Sequence, residues 1–162
     1  MLGMRRLTFV LLLFLSVSVA PAGPTIVIVR HAEKAANAGN DPDLSPAGQA
    51  RADALARVLK DSGIAAIFTS EFKRTQQTAA PTARSLGISP IVVSAKDTTA
   101  LLAKLRELNG NALVVGHGDT IPNLVKALGV DTPINISEND YTELFVVMLG
   151  EKSQLFHLHY PF

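Results

Sequence analysis

Apolar and polar positions fall into blocks along the chain, and from Thr25 onward short apolar runs alternate with longer amphipathic ones. Residues 26–29 are a continuous β-branched run, the pattern of a strand buried on both faces. Ser45-Pro46 reads as the start of a helix, with Ser45 as N-cap and proline at the first helical position. Ala47, Ala50, Ala54, Leu55, Val58 and Leu59 are then expected on its apolar face, and Gly63 at its end. Residues 65–68 predict a second strand. Ser70 is expected to cap a helix that Pro81 kinks or interrupts and Gly87 terminates. A third strand is predicted over 91–93 and a third helix over 99–108, with Leu101, Leu102, Leu105 and Leu108 inward. Residues 112–115 predict a fourth strand, and 121–128 a fourth helix ending at Gly129. Two further strands, 144–149 and 155–160, are separated only by Gly150-Glu151-Lys152-Ser153, which implies a hairpin and an antiparallel edge. The alternation predicts an α/β fold: a three-layer α/β/α sandwich with a mostly parallel sheet and an antiparallel C-terminal edge hairpin.

The first residues follow a different logic. Arg5 and Arg6 precede an apolar stretch over 7–19, and Ala20-Pro21-Ala22 supplies the small residues of a cleavage site. That order predicts a signal peptide over residues 1–22, with cleavage after Ala22 and a single domain over 23–162. At about 13 residues the stretch is short of the ~20 needed to span a bilayer. The expectation is therefore an exported protein, periplasmic or extracellular, that meets the membrane only through this signal if it stays uncleaved.

Composition narrows the function classes. The 162 residues include no Cys and no Trp, which removes disulfide frameworks, thiolate metal sites and cysteine nucleophiles. Formal net charge is +1; without Arg5 and Arg6, 13 basic residues face 14 acidic ones, a net of −1. Such a balance lacks the basic excess of a nucleic-acid binder, and none is expected as a partner.

Candidate chemistry collects after the predicted strands, where open α/β sheets bind ligands. The first strand runs into Arg30-His31-Ala32-Glu33-Lys34. The second runs into Thr69-Ser70, with Lys73 and Arg74 in the next helix, and the fourth into Gly116-His117-Gly118-Asp119-Thr120. Two arginine forks and backbone N–H groups suit a bound phosphate. A histidine among them suits a nucleophile, and a second a charge stabiliser or acid.

These residues resemble the histidine phosphatase superfamily, also called phosphoglycerate mutase-like. Arg30-His31 matches its Arg-His pair after the first strand, although Ala32 stands where the family often has Gly. Residues 44–50 resemble its Leu-(Thr/Ser)-x-x-Gly element, with Gln49 one place early. Residues 70–79 match Ser-x-x-x-Arg-(Ala/Thr)-x-x-Thr-Ala, with Arg74 as the arginine, and 116–119 match its (Gly/Ala)-His-(Gly/Ser)-(Asn/Asp) turn. The resemblance implies phosphoryl transfer through a phosphohistidine: His31 as nucleophile, and Arg30, Arg74, His117 and Gly118 around the phosphate. It implies no metal and no cofactor, and a phosphorylated small molecule or phosphoprotein as substrate. For the acid that protonates the leaving oxygen, Asp119 and Glu33 rank ahead of Asp97.

Two other readings compete. A metallohydrolase would draw ligands from His31, Glu33, His117, Asp119, Asp41 and Asp43, but would set Arg30 and Arg74 beside a cation. A phosphate-ligand binding module on the same scaffold would not need His31. Elsewhere, His157 and His159 share one strand face by period two; a metal pair is one reading there, and a solvated face is the expectation. The loops over 36–43 and 130–141 are the expected specificity elements.

Overall fold

The computed structural model describes residues 23–36 and 39–160; the proposed signal segment lies outside them, as do Asn37 and Ala38 of the first loop. Ten elements follow in order: β1 (Thr25–Arg30), α1 (Pro46–Val58), β2 (Ile64–Thr69), α2 (Lys73–Leu86), β3 (Ile91–Val92), α3 (Thr98–Arg106), β4 (Asn111–Gly116), α4 (Ile121–Ala127), β5 (Glu143–Met148) and β6 (Gln154–His159). The strands form one sheet in the order β3-β2-β4-β1-β5-β6. The first four run parallel, while β5 is antiparallel to β1 and β6 to β5. No helix among the described residues is long and apolar enough to cross a membrane.

Period-two alternation sends the central strands into two cores. Ile26, Ile28, Phe68, Val114 and Phe145 join one cluster with Leu105, Ile121, Leu124 and Val125 from α3 and α4. Val27, Val29, Ile67, Leu113 and Val115 join the other with Leu55 of α1 and Ala79 and Ala83 of α2. The fold is thus the three-layer sandwich with a mostly parallel sheet and an antiparallel edge hairpin.

Several local expectations are corrected. Helix α1 ends at Val58, and Gly63 lies in the turn leading to β2. Its inner face is Gly48, Arg51, Ala52, Leu55 and Leu59, with Ala54 beside them, whereas Ala47, Ala50 and Val58 are exposed. The reason is the approach of the helix start to Glu33, whose carbonyl accepts from the Ser45 N–H at 2.8 Å. A Cβ on Gly48 would collide with that same carbonyl, so only glycine permits the approach. Ser45 does cap the helix, accepting from the Gly48 N–H.

Helix α2 starts two residues later than expected, with Phe72 and not Ser70 at its N-cap position. Pro81 does not interrupt it. Buried Thr78, Ala79, Thr82 and Ala83 flank the proline, and their burial outweighs one lost backbone bond. Gly87 closes the helix in the left-handed region, φ 68°. Strand β3 is two exposed residues at the sheet edge; Val93 turns inward, and its N–H still donates to the Thr69 carbonyl.

Candidate active site

Register alone brings three strand ends together. Arg30 pairs with Gly116 across β1 and β4, and Thr69 pairs with Val115 across β2 and β4. The residues that follow, His31, His117 and Ser70, must therefore emerge side by side. The His31 N–H extends the ladder by donating to the Gly116 carbonyl at 2.9 Å. The two imidazole rings lie edge to face, with centroids 5.4 Å apart.

His31 is buried, and its orientation fixes its tautomer. Nδ1 lies 2.9 Å from the Ala32 carbonyl oxygen. A carbonyl only accepts, so Nδ1 carries the proton and Nε2 keeps its lone pair. Burial lowers the His31 pKa to about 4, and the cationic neighbourhood of His117, Arg74 and Arg30 works in the same direction against the Ala32 bond. The ring is a neutral imidazole at physiological pH.

His117 is held by a relay that the motif pattern does not announce. Its Nε2 is 2.9 Å from Ser70 Oγ, which is 2.9 Å from Thr75 Oγ1. The Thr75 hydroxyl sits 2.8 Å from the Phe72 carbonyl and donates to it. Ser70 then donates to Thr75, which leaves Ser70 Oγ to accept from the His117 Nε2–H. The Phe72 ring closes the other side, T-shaped at 5.3 Å. Burial lowers the His117 pKa, with Arg74 adding to the effect and Asp119 and Glu71 opposing it.

The two arginines are positioned differently. Arg30 Nη1 donates to the carbonyls of Ser137, Glu138 and Asp140, and its guanidinium lies 4.4 Å from the centre of the Tyr141 ring. Its Nε is buried without a hydrogen-bond partner, a donor left over for an incoming acceptor. Arg74 lies over Phe72 at 4.2 Å and pairs loosely with Asp41 at 3.7 Å. Thr78 ties this helix to the first strand end, accepting from the Ala32 N–H and donating to the Arg74 carbonyl.

Arg30, His31, Arg74, His117, Gly118 and Asp119 line one open cleft of ≈ 380 Å³, joined by Lys34, Ile136 and Glu138. The structure thus brings together every sequence-derived phosphate and nucleophile candidate. It treats the acid candidates unequally. Asp119 borders the cleft. Glu33 does not: its carboxylate makes a forked pair with Arg51, with N–O distances of 2.7–2.9 Å. Burial pushes its pKa up, but the Arg51 hydrogen bonds outweigh that and hold it below the usual carboxylate value. A carboxylate kept ionised by a bidentate arginine has no proton to give, so Glu33 is corrected to a structural role. Asp97 caps α3, accepting from the Ala100 N–H. Three of the four carboxylates of the metallohydrolase reading are paired, Glu33 with Arg51, Asp41 loosely with Arg74 and Asp43 loosely with Lys73, while Asp119 borders the cleft.

Sequence reasoning missed Ser70 and Thr75 as supports of His117, Arg51 as the partner of Glu33, and Tyr141 beneath Arg30. Ser70 reads in the sequence as a helix cap, and Thr75 lies only five residues further on. Arg51 and Tyr141 reach their partners from distant segments, and no local spacing signals them.

Comparison with known proteins places this geometry in context. Residues 26–96 match the family described as the histidine phosphatase superfamily (branch 1). A curated relative, PE-PGRS family protein PE_PGRS11 of Mycobacterium tuberculosis, is 43% identical over 81 residues, and the match covers 44% of this chain but only 14% of that one. Among solved structures, mycobacterial glucosyl-3-phosphoglycerate phosphatase Rv2419c in complex with VO3 superposes with a TM-score of 0.68 at 17% identity, over 86% of this chain and all of that one. Mycobacterial hydrolase 2 superposes at 0.66 and 16% identity, over 87% of this chain and 93% of that one. At such identities the structural likeness speaks to fold.

Proposed function

We propose that this chain, whose residues 26–96 match the histidine phosphatase superfamily (branch 1), hydrolyses a phosphomonoester or a protein phosphohistidine through a covalent phosphohistidine on His31. One observation carries the reading: the Nδ1 contact to the Ala32 carbonyl leaves Nε2 of a neutral imidazole free, at the edge of a cleft ringed by Arg30, Arg74 and His117. A nucleophile must offer a lone pair, and here burial and neighbouring cations keep that lone pair unprotonated.

In the first half-reaction the Nε2 lone pair attacks phosphorus, and the bond from phosphorus to the leaving atom breaks, an oxygen in a phosphomonoester and an imidazole nitrogen in a phosphohistidine. The free Nε of Arg30, the Arg74 guanidinium and His117 stabilise the charge that spreads over the non-bridging oxygens. The dianion itself favours the protonated form of His117, whose Nδ1–H can then donate while Nε2 stays on Ser70. Of the two carboxyl residues that border the cleft, Asp119 and Glu138, Asp119 follows directly on the His117 turn and is assigned the proton delivered to the leaving atom. In the second half-reaction water attacks phosphorus, the N–P bond breaks and inorganic phosphate departs, with the water proton returning to that carboxylate. The proposal includes a location outside the cytoplasm, supported by the sequence of residues 1–22.

The test is rapid quench of the enzyme with a radiolabelled phosphomonoester in the presence of a chelator. Acid-labile label on the protein, lost together with turnover in His31→Ala, is the expected result. An unlabelled wild type with turnover that survives in His31→Ala overturns the mechanism. A labelled or phosphate-binding wild type that never turns over would favour the binding-module reading. For location, the envelope protein should begin at Gly23 by mass spectrometry, and recovery from the cytoplasm overturns export.

A further inference from the structure

Glu143, the first residue of β5, is a buried carboxylate outside the cleft, 8% exposed. Its Oε1 lies 3.3 Å from His157 Nε2, while Oε2 is buried with no hydrogen-bond partner. An anionic oxygen removed from water without a partner is unfavourable, so the site asks for a further positive group. The β5–β6 register sets His159 directly opposite Glu143, and His157 opposite Phe145. Alternation then puts all three polar side chains on the same face of the hairpin. His157 stacks on Phe145 at 4.6 Å and against His159 at 5.0 Å, both with the rings 27° apart.

An ion pair with a protonated His157 is the simpler account, and it falls short on two points. It leaves Oε2 unpartnered. It also sets a second imidazole against the first, and each ring's charge would oppose the other's. Neutral imidazoles have no such conflict and offer lone pairs. One donor atom from each of Glu143, His157 and His159 can be chosen so that all three lie within 4.8 Å of one another. In a tetrahedral site with bonds of about 2.0–2.1 Å, neighbouring ligand atoms stand roughly 3.3 Å apart. The spacing between Glu143 and His157 already meets that figure, and His159 is exposed and free to turn inward.

We propose that Glu143, His157 and His159 form a three-ligand site for a divalent first-row transition metal of the zinc and copper class. Two imidazoles and one carboxylate suit these ions, whereas magnesium and calcium favour all-oxygen sets. The remaining coordination position opens to solvent. Because Glu143 follows Asp140 and Tyr141 closely, the bound ion would anchor the end of the segment that Arg30 holds from the other side.

The untagged, metal-stripped chain should bind one equivalent of zinc by calorimetry, and its melting temperature should rise with zinc concentration as mass action requires. His31→Ala/His117→Ala, which removes the cleft histidines, should bind equally well. His157→Ala/His159→Ala should weaken binding on the order of 100-fold and abolish the thermal shift. His159→Ala alone, at an exposed position, should weaken it and serves if the double variant folds poorly. Zinc X-ray absorption should show nitrogen and oxygen ligands only. A wild type that binds no stoichiometric zinc overturns the proposal, as does binding that survives loss of His157 and His159 or disappears with His31 and His117.

Discussion

Nδ1 of His31 lies 2.9 Å from the carbonyl oxygen of Ala32, the very next residue, so the chain orients its own candidate nucleophile. The geometry demands a proton on Nδ1 and none on Nε2. Burial and the surrounding cations then keep the ring from gaining a second proton until the pH approaches 4.

His31 should therefore titrate near pH 4 and not near 6.5, read from its ring C–H signals by NMR. The sign for stability follows. Between those values the unfolded chain binds more protons than the folded one. The His31 contribution is thus full above about 6.5 and is lost as the pH falls towards 4, by on the order of 2–3 kcal/mol. Denaturant unfolding at pH 7 and pH 4.5 should show a smaller acid loss for His31→Ala than for wild type. Equal losses would place the proton elsewhere.

Ser70→Ala should leave the fold intact and impair the site. Without Oγ, the Nε2–H of His117 loses its acceptor at 2.9 Å, and the ring is free to rotate. We expect a fall in kcat/KM on the order of 10-fold, with a displaced His117 NMR titration. Thr75→Val should produce a weaker form of both effects, because Ser70 then loses the acceptor that orients its hydroxyl. Kinetics unchanged in both variants would show that the relay does not position His117.

Arg51→Ala should be a stability lesion. The pair with Glu33 is forked and mostly shielded, with side chains 6% and 22% exposed, so removing the cation strands a carboxylate. The expected loss is about 1–3 kcal/mol in denaturant unfolding. Glu33→Gln should lose less, because the amide oxygen can still accept from Arg51. The Arg51 variant should keep its phosphohistidine label if Glu33 has no part in the chemistry. Its steady-state label is the measurement that separates a structural from a catalytic Glu33.

The sheet was legible because each central strand is a short apolar run ending in a polar turn, and the β-branched content of residues 26–29 leaves little else for them to be. The meeting of Arg30, His31, Arg74 and His117 was legible for a related reason, since parallel strands must deliver their carboxyl ends to one rim. What failed was anything decided between distant segments. The α1 face departs from its apolar stripe because Arg51 turns inward to reach Glu33, and an arginine has no place in such a stripe. Pro81 has less force here than in an isolated helix, because packing on both sides outweighs it. Glu143 gained its meaning only once the hairpin register set it beside His159.

The two arginines should fail in different ways when replaced, because one of them also grips a loop. Arg74 contacts Phe72 and loosely Asp41, so Arg74→Ala should chiefly remove a phosphate contact. Its loss should lower kcat as well as raise KM, on the order of 10²-fold in kcat/KM, by analogy with deleting one preorganised donor. Arg30 instead anchors the segment from Ser137 to Tyr141 through three carbonyls and an aromatic face. Arg30→Lys keeps the charge but loses the planar fork and its stacking on Tyr141. Amide hydrogen exchange over residues 137–141 should accelerate in Arg30→Lys and stay unchanged in Arg74→Ala. Vanadate, an analogue of the five-coordinate phosphorus, should bind more weakly to both variants than to wild type. If exchange over 137–141 is the same in Arg30→Lys as in wild type, the loop is held by its own turns, and the argument for Arg30 reduces to its Nε.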